Sequence, residues 1–283
     1  MTTPTTWFVT GASKGLGLEL VRQLLAQGAN VAATSRSADR LRAALADADA
    51  DTTRLLPLAV DLADEADVQR AVTAAAERFG RLDVVVNNAG YGYLAAVEET
   101  TAQAVRDMLD VQVVGVWNVL RAALPVMREQ RSGRVVNVSS VLGLVSLPGW
   151  ALYCAGKFAL EAMTEALAGE VAGHGIEVTL VEPGYFRTSF LSPDSLALPE
   201  TTTDHYPQIR RMVADHRALQ GSQLGDPARG AAEIIARASV AGAPLRQVLG
   251  SDSHAYATAK VDALRANLAA EADSAPRTDH PAA

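Results

Sequence analysis

The sequence predicts a doubly wound α/β fold, in which a mainly parallel sheet of seven strands carries helices on both faces. Short β-branched runs alternate with longer alanine- and leucine-rich segments of helical period almost from end to end. No linker or repeat interrupts this alternation, so a single domain over residues 1–271 is expected. One strand-like run contains a proline, Pro57, which indicates an edge strand.

The elements follow the chain in order. The predicted strands cover residues 6–10, 30–35, 54–60, 83–87, 134–139, 177–182 and 245–250. The predicted helices cover residues 15–27, 38–48, 65–79, 101–130, 151–173, 226–240 and 253–270. In the doubly wound order 3-2-1-4-5-6 the third strand is the edge, which agrees with Pro57. Residues 185–225 break the rhythm with three prolines and are expected to form a lid, and the tail 272–283 is expected to be disordered.

Composition excludes several classes of function. With 283 residues and 49% apolar content, the chain can bury a sizeable core. A net charge of -7 and the lack of a basic run argue against a nucleic-acid partner. The N-terminus does not resemble a signal peptide and no long apolar run is present, so we expect a cytoplasmic protein without a membrane partner. Cys154 is the only cysteine, which rules out an intrachain disulfide or a cysteine metal cluster; packing is its expected role, and no metal site is predicted.

The first predicted strand leads directly into the turn T-G-A-S-K-G-L-G, residues 10–17, and then into a helix. A helix N-terminus presents free N–H groups to an anion, and glycines allow a diphosphate to approach the backbone. The spacing departs from G-x-G-x-x-G, and a tight structural turn is the alternative, but the position after the first strand favours a dinucleotide site. The predicted cofactor contacts in this turn are Gly11, Ser13, Lys14, Gly15, Leu16 and Gly17.

Two cations indicate which dinucleotide is bound. Lys14 opposes the helix dipole at a cost of up to about 1 kcal/mol, which an anion would reverse. Arg36 follows the second strand, where an enzyme that binds an unmodified ribose would carry a carboxylate. Together they favour NADP(H) over NAD(H), with two solvated surface cations as the alternative. Asp61, followed by Leu62, either contacts the adenine amine or caps the next helix.

The segment Y-C-A-G-K places Tyr153 and Lys157 on one face of a predicted helix. A neighbouring ammonium would lower the pKa of the phenol from its ordinary value of about 10 and prepare it for proton transfer. Ser140 lies at the carboxyl end of the fifth predicted strand, where ligands of doubly wound sheets bind. The alternatives are an ordinary surface pair for the tyrosine and lysine, and a turn cap for the serine.

The order of these motifs resembles that of the short-chain dehydrogenases/reductases, compact single-domain oxidoreductases with a Rossmann-type fold. The match extends from Thr6 to about Thr188. The resemblance implies that Tyr153 is the general acid/base, that Ser140 polarises the carbonyl, and that Lys157 holds the nicotinamide ribose and depresses the tyrosine pKa. The further cofactor contacts that it implies are Asn88, Ala89 and Gly90 on the adenosine side and Pro183, Gly184 and Thr188 around the carboxamide.

Two positions depart from the family pattern. The family commonly has an asparagine that anchors a water in a proton relay to the lysine, and Gln112 stands at that position here. Glutamine keeps the amide and adds a methylene, so the relay is expected to persist with a shifted water or to weaken. Gly156 replaces the serine of the Y-x-x-S-K version, with an expected minor effect.

The expected reaction is NADPH-dependent reduction of a hydrophobic ketone or aldehyde, with Tyr153 protonating the carbonyl oxygen. The predicted substrate contacts are Ser140, Leu142, Tyr91, Tyr93, Trp150, Tyr185 and Phe190. An NAD-dependent alcohol dehydrogenase and a non-catalytic NADP-binding sensor are the alternatives. On the lid, His205, His216, Arg210 and Arg211 could meet an anionic substrate, although a solvated helix face is the preferred interpretation. The family often forms dimers or tetramers through the helices after strands four and five, so a homodimer or homotetramer is expected.

Overall fold

The computed structural model describes residues 4–46 and 52–280. The strands of these residues are β1 (Thr6–Val9), β2 (Asn30–Ser35), β3 (Leu55–Ala59), β4 (Val84–Asn87), β5 (Gly92–Tyr93), β6 (Gly133–Val138), β7 (Ile176–Pro183), β8 (Leu196–Ala197) and β9 (Arg246–Leu249). Seven of them form one parallel sheet in the order β3-β2-β1-β4-β6-β7-β9, while β5 and β8 pair separately.

This order confirms the predicted topology, because the fifth, sixth and seventh predicted strands are β6, β7 and β9. Strand β3 lies at the edge, and its Pro57 faces Ala33 of β2. A proline has no N–H to give to a further strand, so it is tolerated at this edge. The small β5–β8 sheet was not predicted, since two-residue strands leave no periodic signal.

The helices of the described residues are α1 (Gly15–Ala26), α2 (Ala38–Leu45), α3 (Glu65–Phe79), α4 (Ala102–Leu109), α5 (Gly115–Gln130), α6 (Ala151–Val171), α7 (Pro207–Ala218), α8 (Pro227–Ala238) and α9 (Ser251–Ala270). Helix α3 has the predicted bounds because both of its ends carry strong signals. The Asp64 carboxylate accepts a hydrogen bond from the N–H of Asp67, 3.1 Å away, and Gly80 ends the helix with φ 75°.

The structure differs from the predicted helices in two places. The segment predicted as one helix over residues 101–130 contains a π-helical turn at Asp110–Val114, between α4 and α5. The lid contains helix α7, which begins at Pro207, and the predicted loop is therefore wrong over that stretch. Proline is well tolerated in the first turn of a helix, so Pro207 starts a helix that we expected it to exclude.

The remaining differences concern the C-terminal tail and the end of the second predicted helix. Residues 271–280 form exposed turns and a short 3-10 helix at Ala275–Thr278. Residues 47 and 48 of the second predicted helix, and residues 281–283 of the tail, lie outside the described residues.

The core has one apolar layer on each face of the sheet and a third cluster under the lid. Helices α1, α2 and α8 cover one face, and α3, α5 and α6 cover the other. Side chains of one strand alternate between the layers, as in β1, where Phe8 packs under α3 and α5 while Val9 packs under α1. The third cluster includes Tyr153 and Trp150 and joins the lid to the carboxyl ends of the strands.

By length and composition alone, residues 102–130 could cross a membrane. In this fold the α5 part of that segment packs against α3, β4 and β6 as a core helix.

Candidate active site

A cavity of about 470 Å³ opens along the carboxyl ends of the strands. It brings together most of the side chains predicted for cofactor and substrate. Those that line it are Gly11, Ser13, Lys14, Gly15, Leu16, Arg36, Asp61, Leu62, Asn88, Ala89, Gly90, Tyr91, Ser140, Leu142, Trp150, Tyr153, Lys157, Pro183, Gly184, Tyr185, Thr188 and Phe190. Gly17, Tyr93 and Gln112 do not line the cavity.

The glycine turn is held against the loop after β4. Gly11 has φ 65°, and a Cβ there would lie 2.7 Å from Cα of Ala89, so only glycine fits. The Asn88 amide donates to the carbonyl oxygens of Thr10 at 2.9 Å and Gly11 at 3.1 Å. Gly17 lies beneath the turn, where a side chain would overlap the Asn88 amide and the Gly11 carbonyl. Gly17 and the side chain of Asn88 thus shape the turn, a correction to the predicted direct contact of Gly17 with the cofactor.

Two cations lie at one end of the cavity, Lys14 directly before α1 and Arg36 directly after β2. The Lys14 ammonium donates to the carbonyl oxygen of Asp194 at 2.8 Å and to Oγ of Ser195 at 2.5 Å, both on the lid. Burial lowers the pKa of Lys14, and the nearby charge of Arg36 lowers it further. Arg36 is exposed and forms no hydrogen bond or ion pair with another described residue. This end of the cavity is therefore prepared for an anion.

Asp61 is available to a ligand. Its Oδ1 accepts a hydrogen bond from the N–H of Ala63 at 3.0 Å, and the residue is exposed at the cavity wall. Asp64 caps α3, so the alternative in which Asp61 caps this helix is wrong. The neighbouring Leu62 is fixed through its carbonyl oxygen, which accepts from Nδ2 of Asn118 at 2.9 Å.

The predicted catalytic side chains meet beneath the lid. Ser140 starts a short 3-10 turn, and its Oγ accepts from the N–H of Leu142 at 3.1 Å. Tyr153 and Lys157 are buried, with 6% and 4% of their surface exposed, and Nζ of Lys157 lies 5.7 Å from the centre of the tyrosine ring. Nζ also donates to the carbonyl oxygen of Val138 at 2.9 Å.

The pKa shifts of this pair differ from the expectation. Burial raises the pKa of Tyr153, and the Ser140 hydroxyl only partly opposes the rise. Burial lowers the pKa of Lys157 to about 8, against the opposing charge of Glu161. Lys157 does not contribute to the shift of the Tyr153 pKa, so the expected depression by the lysine is not seen here, and burial of the phenol is the main cause of the shift.

Gln112 and Gly156 touch one another. Gln112 lies in the π-helical turn, and its Nε2 donates to the carbonyl oxygen of Tyr91 at 3.1 Å. Its Oε1 is buried and has no hydrogen-bond partner among the described residues. A Cβ added at Gly156 would lie 2.5 Å from that Oε1. The missing side chain of Gly156 therefore makes room for the longer amide of Gln112, and the minor effect expected of this replacement stays a prediction.

The turn after β7 at Pro183 and Gly184, which is predicted to contact the carboxamide of the cofactor, is held by hydrogen bonds to two other segments. The N–H of Gly184 donates to the carbonyl oxygen of Leu249 at 2.9 Å. The N–H of Tyr185 donates to Oδ2 of Asp252, in the first turn of α9, at 2.8 Å. A Cβ added at Gly15 would lie 3.5 Å from Cβ of Thr188, so the start of the lid packs directly on the glycine turn.

The substrate end of the cavity is aromatic. The ring of Tyr153 makes edge contacts with Trp150 at 5.4 Å and with Phe190 at 5.7 Å between centroids. Tyr93 is only 6% exposed within the apolar cluster under the lid, which corrects its assignment to the substrate site. The lining residues that sequence reasoning missed include Ser195, Gln223 and Tyr256. The only available signal was for Tyr256, an aromatic side chain one turn after Asp252.

Of the four lid residues that could meet an anion, His205 and Arg211 are exposed and do not line the cavity, while Arg210 and His216 are engaged by protein groups. Arg210 is paired with the buried carboxylate of Glu99, and both ring nitrogens of His216 contact protein groups. The described residues contain no group of three or more His, Cys, Asp or Glu side chains that could hold a metal ion.

Comparisons with known proteins show the family of this chain. The family model described as short chain dehydrogenase matches residues 5–197. An oxidoreductase of Botryotinia fuckeliana is 34% identical over 261 residues, which cover 92% of this chain and 94% of the relative. The crystal structure of a short-chain dehydrogenase from Streptomyces avermitilis has a TM-score of 0.88 and 35% identity, and the match covers 99% of this chain and 100% of that one. Levodione reductase has a TM-score of 0.74 and 28% identity, with 91% and 99% covered. The chain belongs to the short-chain dehydrogenase/reductase family of oxidoreductases.

Proposed function

We propose that this protein is an NADPH-dependent carbonyl reductase that acts on hydrophobic ketones or aldehydes. When bound, the nicotinamide cofactor supplies the hydride that reduces the carbonyl carbon. The observation that carries the cofactor preference is the pair Lys14 and Arg36, whose charges are close enough for Arg36 to lower the pKa of Lys14. Strand β2 ends at Ser35, after which an enzyme for an unmodified ribose would carry a carboxylate. The hydroxyl of Ser35 is bound to the backbone of Ser37, and the next residue is the cation Arg36. Arg36 has no partner among the described residues, and Lys14 is bound only to neutral oxygens of Asp194 and Ser195, so the two positive charges suit a ribose phosphate.

The protein side chains divide the remaining work. The raised pKa of Tyr153 keeps the phenol protonated at neutral pH, which suits the donation of a proton from Oη to a carbonyl oxygen. The Ser140 hydroxyl hydrogen-bonds to the same oxygen and orients it. Lys157, whose pKa is about 8, keeps most of its charge at neutral pH and has two further N–H donors for the ribose hydroxyls.

The aromatic and aliphatic lining supports an apolar substrate. Levodione reductase and the 3-ketodihydrosphingosine reductase of Bacteroides thetaiotaomicron, which is 37% identical over 182 residues, carry names of carbonyl reductases. A second candidate is NAD-dependent oxidation of an alcohol. It is favoured by the L-fucose dehydrogenase of Mus musculus, which is 33% identical over 242 residues.

Cofactor titration separates these candidates. We expect Arg36→Ala to weaken NADPH binding by about tenfold or more, because it removes a charge-assisted contact, and to leave NADH binding unchanged. The matched control is Arg42→Ala, an exposed cation on α2 that pairs with Asp39 away from the cavity. Equal affinities of the wild-type protein for NADPH and NADH would refute the proposal that Lys14 and Arg36 bind the ribose phosphate of NADPH.

The reaction itself is tested by NADPH consumption across aliphatic, aromatic and polycyclic ketones. Tyr153→Phe, which retains the ring and removes the proton donor, should abolish turnover while NADPH still binds. Cofactor binding without consumption of NADPH by the wild type on any of these ketones would instead support a non-catalytic sensor.

We further propose that the protein is cytoplasmic and assembles into a homodimer or homotetramer through α5 and α6. Trp117 on α5 and Phe158 on α6 are 53% and 40% exposed, and large exposed apolar side chains favour a protein interface. Light scattering measures the mass in solution, and a monomer would contradict the assembly.

A further inference from the structure

The lid helix α7 directs one polar side chain toward the substrate end of the cavity. Nε2 of His216 lies 2.8 Å from the hydroxyl of Tyr185 and 3.3 Å from Nε1 of Trp150. Nδ1 of the same ring lies 2.8 Å from the carbonyl oxygen of Met212. Ring contacts accompany these bonds, with centroids of His216 at 5.3 Å from Trp150 and 5.7 Å from Tyr185.

The partners assign the donor and acceptor roles. An indole nitrogen can only donate, so Nε2 of His216 is the acceptor for Trp150. The carbonyl oxygen of Met212 can only accept, so the ring proton lies on Nδ1. Burial raises the pKa of Tyr185 to about 12, and its hydroxyl therefore keeps its proton and donates to the same Nε2. The single lone pair of Nε2 is thus shared by two donors from cavity-lining side chains, with the Tyr185 hydroxyl closer than the Trp150 indole.

Both donors would otherwise be available to a substrate. Trp150 and Tyr185 line the cavity, and Trp150 also touches the ring of Tyr153. With their donor hydrogens directed to His216, they offer no N–H or O–H donor to a bound molecule. The hydroxyls of Ser140 and Tyr153 then remain for the reacting carbonyl oxygen.

We propose that His216 is a positioning residue that determines substrate specificity: it engages the donor groups of Trp150 and Tyr185, so that the cavity selects carbonyl compounds without a second hydrogen-bond acceptor. This inference rests on the proposed function. Helix α7 is held in place independently, since Ile209 is 3% exposed and Met212 and Val213 pack into the apolar cluster under the lid. Loss of the imidazole is therefore expected to free the two donors without releasing the helix.

The test compares acetophenone with acetylpyridine, two ketones of nearly equal shape that differ by one ring nitrogen acceptor. We expect His216→Leu, which fills the space without an acceptor, to shift the ratio of the two kcat/KM values about tenfold toward acetylpyridine, because a freed donor can bind the ring nitrogen. His216→Gln, which returns an acceptor oxygen, should restore the wild-type ratio. The matched control is His205→Ala, which changes an exposed histidine of the lid outside the cavity.

The preference between the two ketones is also measured without turnover. In the inactive Tyr153→Phe variant with bound NADPH, the dissociation constants of acetophenone and acetylpyridine are compared with those of the double variant that also carries His216→Leu. An unchanged ratio in both measurements, equal to that of His205→Ala, overturns the role of His216. Absence of turnover in the wild type together with the expected shift in dissociation constants refutes the proposed reaction and supports the role of His216. If His216→Leu does not fold, His216→Ala replaces it in the test. A tenfold shift of the ketone ratio in His216→Ala, with the wild-type ratio recovered in His216→Gln, supports the role of His216. A wild-type ratio in His216→Ala refutes that role.

Discussion

Replacement of Gly156 by alanine should destabilise the protein, although the same change elsewhere in the same helix should stabilise it. Gly156 and Gly169 both lie in α6. Alanine loses less backbone entropy on folding than glycine, which favours Gly→Ala in a helix by about 0.5–1 kcal/mol. No atom of the described residues lies within 4 Å of a Cβ added at Gly169, so the full gain is expected there.

At Gly156 the added methyl group meets Gln112. Its Cβ would lie 2.5 Å from Oε1, 3.3 Å from Cδ and 3.4 Å from Cβ of Gln112, which is only 1% exposed. Overpacking of this kind costs about 1–3 kcal/mol. If the amide turns away, it loses the hydrogen bond to Tyr91, which is worth about 1 kcal/mol. After subtraction of the helix-propensity gain, Gly156→Ala should lower the free energy of unfolding by about 1–2 kcal/mol.

Urea denaturation measures this free energy for both single variants. The double variant with Gln112→Asn completes the test, because the shorter side chain leaves room for the methyl group. In that background Gly156→Ala should become neutral or stabilising, with a coupling energy of at least about 1 kcal/mol between the positions. The reasoning is refuted if Gly156→Ala is as stabilising as Gly169→Ala, or if its penalty is the same beside asparagine.

Two further predictions concern the site. Burial lowers the pKa of Lys157 from 10.5 to about 8, so the charged lysine is less favourable in the folded protein than in the unfolded chain. The lysine therefore opposes folding more strongly as pH falls from about 10.5 to about 8. The free energy of unfolding of the wild type should thus rise by about 2 kcal/mol between about pH 7.5 and 9.5 relative to Lys157→Met, and equal slopes in urea titrations would contradict this. Asp252→Ala removes the acceptor that holds the N–H of Tyr185, so NADPH affinity should fall about tenfold by fluorescence titration. Asp262→Ala, exposed on the same helix, is its control, and an equal loss in both variants would show that the anchor is irrelevant.

The central sheet was predictable because its signals are local and repeated. Runs such as VVVN of β4 are buried on both faces and therefore read as continuous apolar segments, and each is followed by a helix of clear period. Pro57 then fixed one edge of the sheet. The positions of Ser140, Tyr153 and Lys157 followed from the same topology, since ligands of doubly wound sheets bind at the carboxyl ends of the strands.

What the sequence could not predict depends on contacts between distant segments. Arg246 of β9 pairs with Glu161 of α6 and Glu182 of β7, and each of these looks like an ordinary charged residue in the sequence. Gln112 and Gly156 were recognised as separate departures, while their compensation required the distance between two helices. The direction of the Tyr153 pKa shift also escaped prediction, because the chain order reveals a neighbouring lysine but not the burial of the phenol.

The lid has the weakest secondary-structure pattern in the sequence, yet its side chains and backbone contact both ends of the cavity. At one end of the cavity Lys14 donates to Asp194 and Ser195 of the lid, and at the other end His216 of the lid binds two lining side chains. Each such bond contributes only about 1 kcal/mol, and none follows from a periodic pattern. Yet these contacts connect the same segment to the predicted phosphate end and to Trp150, the ring neighbour of Tyr153. A displacement of the whole lid therefore alters both ends of the cavity together, so substitutions that release the lid from its apolar packing should change cofactor affinity and substrate preference together.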